Sequence, residues 1–238
     1  MSVAGKNMAD KVTTRKSDET RIRILEAALA LFRKRGFGAT TMRDIAKEAG
    51  VALGAAYYYF ASKDALVTAF YERAHLELTP LAEDALAKAK TLEERLRAVM
   101  NVKFEYFAPN RSLMAALSAH IDPQNPLSPF SLDTQAIRDQ DIALFARTLE
   151  GAKIRVADDL KQHLPRVLWL YQMGLLLFWV YDRSPKQAKT KQLFEKSVSI
   201  VAGLIKLSGF PLLLPVRKIA VDLLETIYDG ESELGVAT

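Results

Sequence analysis

Hydrophobic residues recur along most of this chain at the three- and four-residue spacing of amphipathic α-helices. In the first such segment, 18–35, Ile22, Leu25, Leu29 and Phe32 form one apolar stripe. Alternating apolar and polar runs bounded by turn residues, the usual signal of strands, are scarce. The pattern therefore predicts an all-α fold. Further helices are predicted at about 41–49, 52–60, 63–78, 91–107, 111–120, 133–149, 151–163, 165–183, 186–208 and 212–228.

Several of these helices carry their own start and stop signals. The sequences Thr41-Met-Arg-Asp44 and Thr91-Leu-Glu-Glu94 have the Thr-x-x-acid pattern of a capping box, in which each side chain binds a backbone amide of the other residue. Gly36 and Gly50 are typical helix ends. Because proline lacks the amide that a helix interior needs, Pro80 should end the fourth helix.

Composition divides the chain into four segments. Residues 1–17 are polar and aperiodic, which predicts a disordered basic arm. Residues 18–66 should form a first helical domain and residues 67–230 a larger one, while the acidic tail 231–238 should be frayed. Inside the larger domain, the segment IDPQNPLSPFSLD at 121–133 contains three prolines and should be a loop.

The predicted helices 41–49 and 52–60 are short and are joined by a tight turn at Gly50. This is the helix-turn-helix arrangement, whose second helix can enter the major groove of DNA. Both helices are too short to be stable alone, so the first and fourth helices should support them. The second one carries three consecutive tyrosines at 57–59. Since neighbours on a helix point about 100° apart, at least one phenol should be exposed.

The positive charge is concentrated in the same part of the chain. The net charge is +5. Residues 1–70 hold 12 Lys and Arg against 7 Asp and Glu, whereas residues 71–238 hold 21 of each. A local basic excess is typical of a nucleic-acid-binding module. A solvated basic surface is the alternative that charge alone leaves open.

Five short motifs follow one another within residues 21–70. They are Gly36-Phe37, Ala39-Thr40-Thr41, Arg43-Asp44-Ile45-Ala46, Ala49-Gly50-Val51 and Tyr57-Tyr58-Tyr59-Phe60-Ala61-Ser62-Lys63-Asp64-Ala65-Leu66. Together they resemble the N-terminal DNA-binding domain of TetR-family transcriptional regulators. The resemblance implies a three-helix DNA-binding domain over 18–66 and an effector-binding and dimerisation domain over 67–230. It also implies a homodimeric repressor that a small apolar or amphipathic effector releases from a palindromic DNA operator.

The resemblance further implies which residues contact DNA. They lie at the starts of the second and third helices and along the tyrosine run: Thr41, Arg43, Leu53, Gly54, Ala55, Tyr57, Tyr58, Tyr59 and Lys63. Thr41, Tyr59 and Lys63 would bind phosphates, and Arg43 a base or a phosphate. Two alternatives stay open, because Thr41 can be a helix cap only and Arg43 a solvated side chain.

The third helix departs from the family pattern at its start. Ala52 stands where serine is common, and Ala55 and Ala56 replace a hydroxyl residue and a leucine. The side-chain cap is therefore missing and direct polar contacts to bases are few. Specificity would then depend on Arg43, Tyr57, Tyr58, thymine-methyl contacts and DNA shape.

Beyond residue 80 the chain shows only the general helical character of the family's second domain. The segment 164–181 is apolar on nearly all sides and should be buried. With the next helix it forms the predicted dimer interface: Leu168, Leu175, Phe178, Trp179, Phe194, Val198, Val201 and Ile205. The predicted effector pocket is mostly apolar: Phe104, Phe107, Met114, Leu117, His120, Phe130, Phe145, Trp169 and Met173. His120 is its candidate polar group, with a purely structural histidine as the alternative.

Other residue patterns argue against catalysis. The chain has no cysteine, which excludes disulfides and thiolate chemistry. His75, His120 and His163 are far apart in sequence and lack metal-site spacing. The motifs of serine hydrolases, Walker nucleotide sites and dinucleotide sites are absent. We therefore expect no enzymatic activity, no catalytic residues, no metal and no cofactor other than an unknown small-molecule effector.

The N-terminal sequence and the longest apolar run indicate where in the cell the protein is expected. The N-terminal residues show no signal-peptide pattern, and Pro165, Arg166 and Gln172 interrupt the apolar run. A cytoplasmic protein without a membrane span is expected. The alternative to a regulator is a helical adaptor or a small-molecule- or lipid-binding protein that does not bind DNA. Salt-dependent DNA binding would distinguish the two.

Overall fold

The structure, a computed structural model, describes the backbone of residues 3–210 and 214–234 and the side chains of 16–210 and 214–226. Every regular element in these ranges is helical, which confirms the all-α prediction. The α-helices are α1 (Val3–Arg35), α2 (Met42–Glu48), α3 (Leu53–Tyr59), α4 (Lys63–Lys88), α5 (Leu92–Phe107), α6 (Arg111–Leu117), α7 (Gln135–Glu150), α8 (Asp158–Lys161), α9 (Leu164–Tyr181), α10 (Ala188–Leu207) and α11 (Leu214–Leu234). Short 3₁₀ turns cover Ala108–Asn110 and Pro185–Gln187. The segment 121–133 is a loop, as predicted.

The backbone is helical at both ends where the structure describes it, whereas the sequence predicted a disordered arm at 1–17 and a frayed tail at 231–238. α1 begins at Val3, and α11 extends through 231–234. Residues 1–2 and 235–238 lie outside the described residues. The N-terminal extension contains no proline, and adding a residue to an existing helix is far easier than nucleating one.

α4 continues through Pro80, where the sequence predicted its end. Leu78, Ala82 and Leu86 are buried on both sides of the proline. Proline inside a helix costs about 3 kcal/mol, and the burial of apolar residues before and after it offsets that cost. The missing amide therefore does not terminate the helix.

The predicted helix 151–163 is reduced to the single turn of α8. The Thr148 carbonyl near the end of α7 accepts a hydrogen bond from Arg95 Nε at 2.9 Å. In a continuing helix the Ala152 amide would donate to that carbonyl. It donates to the Leu149 carbonyl instead. The arginine thus ends α7, and Lys153 then takes a left-handed backbone conformation with φ of 49°.

The chain forms two compact units. The first comprises residues 1–76 and 107–137, and the second residues 77–106 and 138–238. These units differ from the segments 18–66 and 67–230 expected from the sequence, because residues 67–76 and 107–137 lie in the first unit.

In the first unit, α2 packs against both α1 and α3. The core there includes Ile24, Phe32, Ile45 and Phe70, all fully buried. Ile22 is exposed although the sequence placed it on the inner stripe, since the buried face of α1 is centred closer to Ile24 and Ala28. The core of the second unit is drawn from α5, α7, α9 and α10: Leu96, Val99, Phe145, Leu168, Trp179, Phe194 and Val198. Among the described helices, none has the length and hydrophobicity needed to cross a membrane.

Candidate nucleic-acid interface

α2 begins with the capping box that the sequence predicts. The Thr41 hydroxyl accepts a hydrogen bond from the Asp44 amide at 3.2 Å, and the Asp44 carboxylate accepts from the Thr41 amide at 3.0 Å and its hydroxyl at 2.7 Å. The Thr41 side chain is the largest cause of the lowered pKa of Asp44. Because the hydroxyl hydrogen is already donated to Asp44, the geometry favours Thr41 as a cap over Thr41 as a phosphate donor.

Two basic side chains lie on the outer side of α2. Arg43 is exposed, while Ile45 on the other side of the helix is fully buried. Within the described residues the Arg43 guanidinium has no ion pair and no hydrogen bond. Lys47, one turn later, is also exposed. The sequence prediction omitted Lys47, although its spacing of four residues from Arg43 places both on one helical face.

α3 starts without a side-chain cap, as the sequence predicts. Ala52 occupies the N-cap position and makes no side-chain hydrogen bond. Ala56 is completely buried, so a small residue is needed there for packing. Gly54 differs, because a Cβ added to it would meet no atom within 4 Å. Packing inside the protein therefore does not require glycine at position 54.

The three tyrosines at the end of α3 have different surroundings. Tyr57 and Tyr58 are 50% and 82% exposed, which confirms that the run cannot face one core. Tyr59 is half-buried, and its hydroxyl accepts a hydrogen bond from Ser17 at 3.3 Å. The Tyr58 ring packs edge-on against Tyr59 with 5.2 Å between centroids. Two phenols therefore face solvent, and the third is held against α1.

Lys63 stabilises the turn between α1 and α2. Its ammonium donates a hydrogen bond to the Phe37 carbonyl at 2.8 Å and lies 4.5 Å from the centroid of the Phe37 ring. The preceding Ser62 caps α4 by accepting from the Ala65 amide at 3.1 Å, as predicted. One of the three N–H groups of Lys63 thus has a structural role, and two are left for a phosphate.

The predicted effector-pocket residues are divided between the two units. Those in the first unit are Phe107, Met114, Leu117, His120 and Phe130, and those in the second are Phe104, Phe145, Trp169 and Met173. Leu117 and Phe145 are buried. His120 Nδ1 accepts a hydrogen bond from the Asn125 side-chain amide at 2.9 Å, which gives it a structural role in the loop. Membership of a pocket stays a prediction for each of these residues.

A group of three polar residues in the second unit was not selected from the sequence; two of them are buried and one is half-buried. Lys103 of α5 forms an ion pair with Asp141 of α7, and the same carboxylate accepts a hydrogen bond from Gln172 of α9 at 2.7 Å. We call Lys103, Asp141 and Gln172 the buried polar cluster. Gln172 was visible in the sequence only as an interruption of an apolar run. Lys103 falls at the inner spacing of α5, between the buried residues Val99 and Phe107.

Most of the predicted dimer-interface residues are instead core residues. The six that are buried within the chain are Leu168, Leu175, Trp179, Phe194, Val198 and Ile205. A side chain enclosed by its own protomer offers little surface to a partner, so burial counts against these six as interface residues, and their placement stays a prediction. Phe178 is exposed and Val201 half-buried, so these two remain available.

A second apolar stripe covers the outer faces of α9 and α10. On α10 it contains Ile200 and Leu204, which are 62% and 63% exposed. Its full membership is Leu170, Leu177, Phe178, Tyr181, Leu193, Ile200, Leu204 and Leu207. We call this the outer apolar stripe. Exposed apolar surface of this extent on neighbouring helices is typical of a protein–protein contact.

Within the described residues, no three His, Cys, Asp or Glu side chains come together in a group that could hold a metal ion.

Comparison with family profiles matches two segments of the chain. Residues 24–70 match the profile described as bacterial regulatory proteins, tetR family. Residues 95–225 match the profile described as tetracyclin repressor-like, C-terminal domain. The second match alone covers more than half of the chain.

Individual relatives agree with these profiles. The HTH-type transcriptional regulator YerO of Bacillus subtilis is 33% identical over 112 residues, covering 45% of this chain and 38% of YerO, so the match spans less than half of that protein's length. RutR of Escherichia coli is 30% identical over 149 residues, covering 61% of this chain and 68% of RutR. Among solved structures, the TetR-family repressor FadR of Thermus thermophilus, in complex with lauroyl-CoA, aligns with a TM-score of 0.55 at 26% identity, over 75% of this chain and 93% of FadR.

Proposed function

The chain belongs to the tetR family of bacterial regulatory proteins, and we propose that it is a homodimeric repressor that binds a palindromic DNA operator. The observation that carries this proposal is the exposed face of the helix-turn-helix. There Arg43 projects to solvent from α2, which packs on α1, and Tyr57 and Tyr58 project from α3, which packs on α2. Uncommitted arginine and aromatic side chains on this face suit the edges and backbone of a major groove.

The proposed contacts divide by what they recognise. Arg43, Tyr57 and Tyr58 read bases, with Leu53, Gly54 and Ala55 at the tip of α3 close to the groove floor. Tyr59 and Lys63 hold phosphates, and Lys47 joins them. Thr41 acts mainly as the α2 cap.

Selection of bound duplexes from a random DNA pool tests this function. We expect an inverted repeat whose half-sites lie about 10 bp, or a multiple of one DNA turn, apart. The logarithm of the binding constant should fall steeply as the logarithm of salt concentration rises, because each phosphate contact releases counterions. Absence of DNA binding, or binding that salt does not weaken, would support the helical-adaptor interpretation instead.

Replacing Arg43 by alanine should relax specificity at one operator position. If the guanidinium makes a bidentate contact to guanine, discrimination at that base pair should fall by about 1–3 kcal/mol. Competition binding with single-base-pair operator variants measures this effect. Arg183→Ala is the matched control, since Arg183 is an exposed arginine outside the helix-turn-helix. A uniform loss of affinity across all variants would assign Arg43 to a phosphate.

Replacing Gly54 by alanine should separate folding from DNA binding. The added methyl meets no atom within 4 Å, and alanine is about 0.5–1 kcal/mol better than glycine inside a helix. The free energy of unfolding should therefore rise slightly. In a complex where the α3 backbone lies against DNA, the same methyl should lower operator affinity by about tenfold, or ~1.4 kcal/mol. Unchanged affinity in a more stable protein would show that α3 does not approach DNA so closely.

The second unit is proposed to bind a small apolar or amphipathic effector that releases the operator. Support comes from the aromatic interior of this unit, where Phe104 lies 5.6 Å from Trp179 and 5.9 Å from Phe194 between ring centroids. The Thermus FadR complex with lauroyl-CoA shows an amphipathic ligand in one relative. The effector favours a dimer whose reading helices are wrongly spaced, so effector and operator weaken each other by the same factor. A bound effector that left operator affinity unchanged would contradict this mechanism.

A further inference from the structure

The buried polar cluster joins α5, α7 and α9 of the second unit through the partly exposed Asp141 carboxylate. Lys103 and Gln172 are 3% and 1% exposed. The Asp141 carboxylate receives a donor on each oxygen, the Lys103 ammonium on Oδ1 and the Gln172 amide on Oδ2. Gln172 is the one polar residue among the buried residues of α9. Such a group is costly to bury unless its hydrogen bonds are completed.

The cluster is incomplete in two respects. Within the described residues, Oε1 of Gln172 accepts no hydrogen bond although it is buried. Lys103 has three N–H groups, and the same residues offer it one hydrogen-bond acceptor, Asp141, together with the Phe145 ring at 5.8 Å. Gln172 and Lys103 therefore both donate to the Asp141 carboxylate, while the Gln172 Oε1 acceptor and the remaining hydrogens of the ammonium are unused.

We propose that the buried polar cluster is the polar end of the effector site and recognises a neutral hydroxyl or carboxamide. That group donates a hydrogen bond to Gln172 Oε1 and accepts one from Lys103. Its apolar remainder packs along Phe145 and Trp169, which lie one turn from Asp141 and Gln172 on the same helices and are both buried. The inference rests on the proposed function, because it assumes that the second unit binds an effector.

The charges of the cluster decide against an anionic group at this point. The ammonium and the Asp141 carboxylate balance each other, so a ligand carboxylate or phosphate would meet an existing negative charge. It would also face Gln172 Oε1, which is an acceptor and has nothing to donate. A neutral group that donates one hydrogen bond and accepts another satisfies both Gln172 Oε1 and the Lys103 ammonium.

Three simple probes on the full chain test the inference by calorimetry. These are 1-octanol, its isomer heptyl methyl ether, which has no donor, and octanoate, which is anionic. We expect 1-octanol to bind at least tenfold more tightly than either of the others, because a site built to bond a hydroxyl rejects analogues that lack it. Equal binding of the alcohol and the ether, tighter binding of octanoate, or no binding of any probe would overturn the proposal.

Gln172→Leu removes the acceptor and should reduce octanol affinity to that of the ether while leaving ether binding as in the original protein. Unchanged ether binding also shows that the interior has kept its fold, and Gln172→Met serves as a second variant if it has not. Tyr171→Phe is the control, since it removes a hydrogen bond of 2.7 Å to Ser197 from the neighbouring position of α9. If both Gln172 variants bind octanol as the original does, Gln172 has a structural role only and the proposal is wrong.

Operator binding measured on the same preparations separates this inference from the proposed function. If the protein binds operator DNA but shows no preference for the alcohol, the proposed polar end of the effector site is wrong and the proposed repressor function is not affected. A protein that prefers the alcohol but does not bind DNA disproves the repressor function and leaves a small-molecule-binding protein.

Discussion

Replacing Arg95 by methionine should lower the free energy of unfolding by about 3 kcal/mol or more. Arg95 is buried, and its guanidinium donates to four backbone carbonyls: those of Leu86, Ala89, Arg147 and Thr148. These carbonyls lie at the C-terminal ends of α4 and α7, where helix carbonyls lack the partners of a helix interior; those of Leu86 and Arg147 also accept from the Ala89 and Gly151 amides. Methionine fills the volume of the arginine stem and leaves all four without that donor.

Removing a buried charge also relieves its desolvation, which works in the opposite direction. In this case the loss of hydrogen bonds should prevail, because one side chain satisfies two helix ends at once. Arg97→Met is the control on the same helix, since Arg97 pairs with Glu93 and Glu195 near the surface. Surface pairs contribute about 0–1 kcal/mol. Chemical denaturation at matched protein concentration compares the two, and equal losses would contradict the role given to Arg95.

Gly151 provides an independent check on the same contact. A Cβ at this position would lie 2.1 Å from Arg95 Nη2, so the guanidinium would have to move. Gly151→Ala should therefore destabilise the original protein more than it destabilises the Arg95→Met variant. Additive effects in this double-mutant cycle would mean that the two residues do not act through one contact.

Arg95 also shows why some helix ends could not be predicted. The capping boxes at Thr41 and Thr91 were found from the sequence because both partners lie three residues apart. The end of α7 depends on an arginine more than 50 residues earlier in the chain, and no local pattern records that contact. Pro80 is the opposite case. Its missing amide locally predicts the end of a helix, but burial of the apolar residues on both sides of it keeps α4 helical.

The exposure of the residues on the candidate DNA-binding face could be predicted for a related reason. Its residues lie within one short segment, and their exposure follows from helical angles, as with Tyr57 and Tyr58. The buried polar cluster was missed because Lys103, Asp141 and Gln172 come from three helices. Each residue by itself is an ordinary polar position, and only packing places them on one carboxylate.

On α10 the residues predicted for the dimer interface lie about one residue, or roughly 100°, around the helix from the exposed apolar residues. α10 has two apolar stripes, one through Phe194, Val198 and Ile205 and the other through Ile200 and Leu204. Both have helical spacing, so periodicity gives no basis for choosing which one faces the core of its own chain. The structure buries the first stripe and exposes the second.

Replacing Leu204 by glutamate should therefore convert a dimer into monomers and abolish tight operator binding. We propose that the outer apolar stripe packs against a second copy, which would bury side chains such as Ile200 and Leu204 that one chain leaves exposed. A charge placed there is desolvated in the dimer but not in the monomer, so it opposes association. A monomer can hold only one half-site, and loss of the linked second contact should weaken operator binding by about 10²–10⁴-fold.

Sedimentation equilibrium gives the oligomeric state, and binding to full and half operators gives the affinity. Lys191→Gln is the control because it makes the same change in net charge about 140° around α10 from Leu204. Binding of Leu204→Glu to a single half-site should match that of the original protein, since the helix-turn-helix is unaltered. If the variant stays dimeric while Val198→Ala or Ile205→Ala dissociates, the originally predicted stripe is the interface and the outer apolar stripe has another partner. If Leu204→Glu is monomeric yet keeps full operator affinity, two-fold binding to DNA is the part of the proposal that fails.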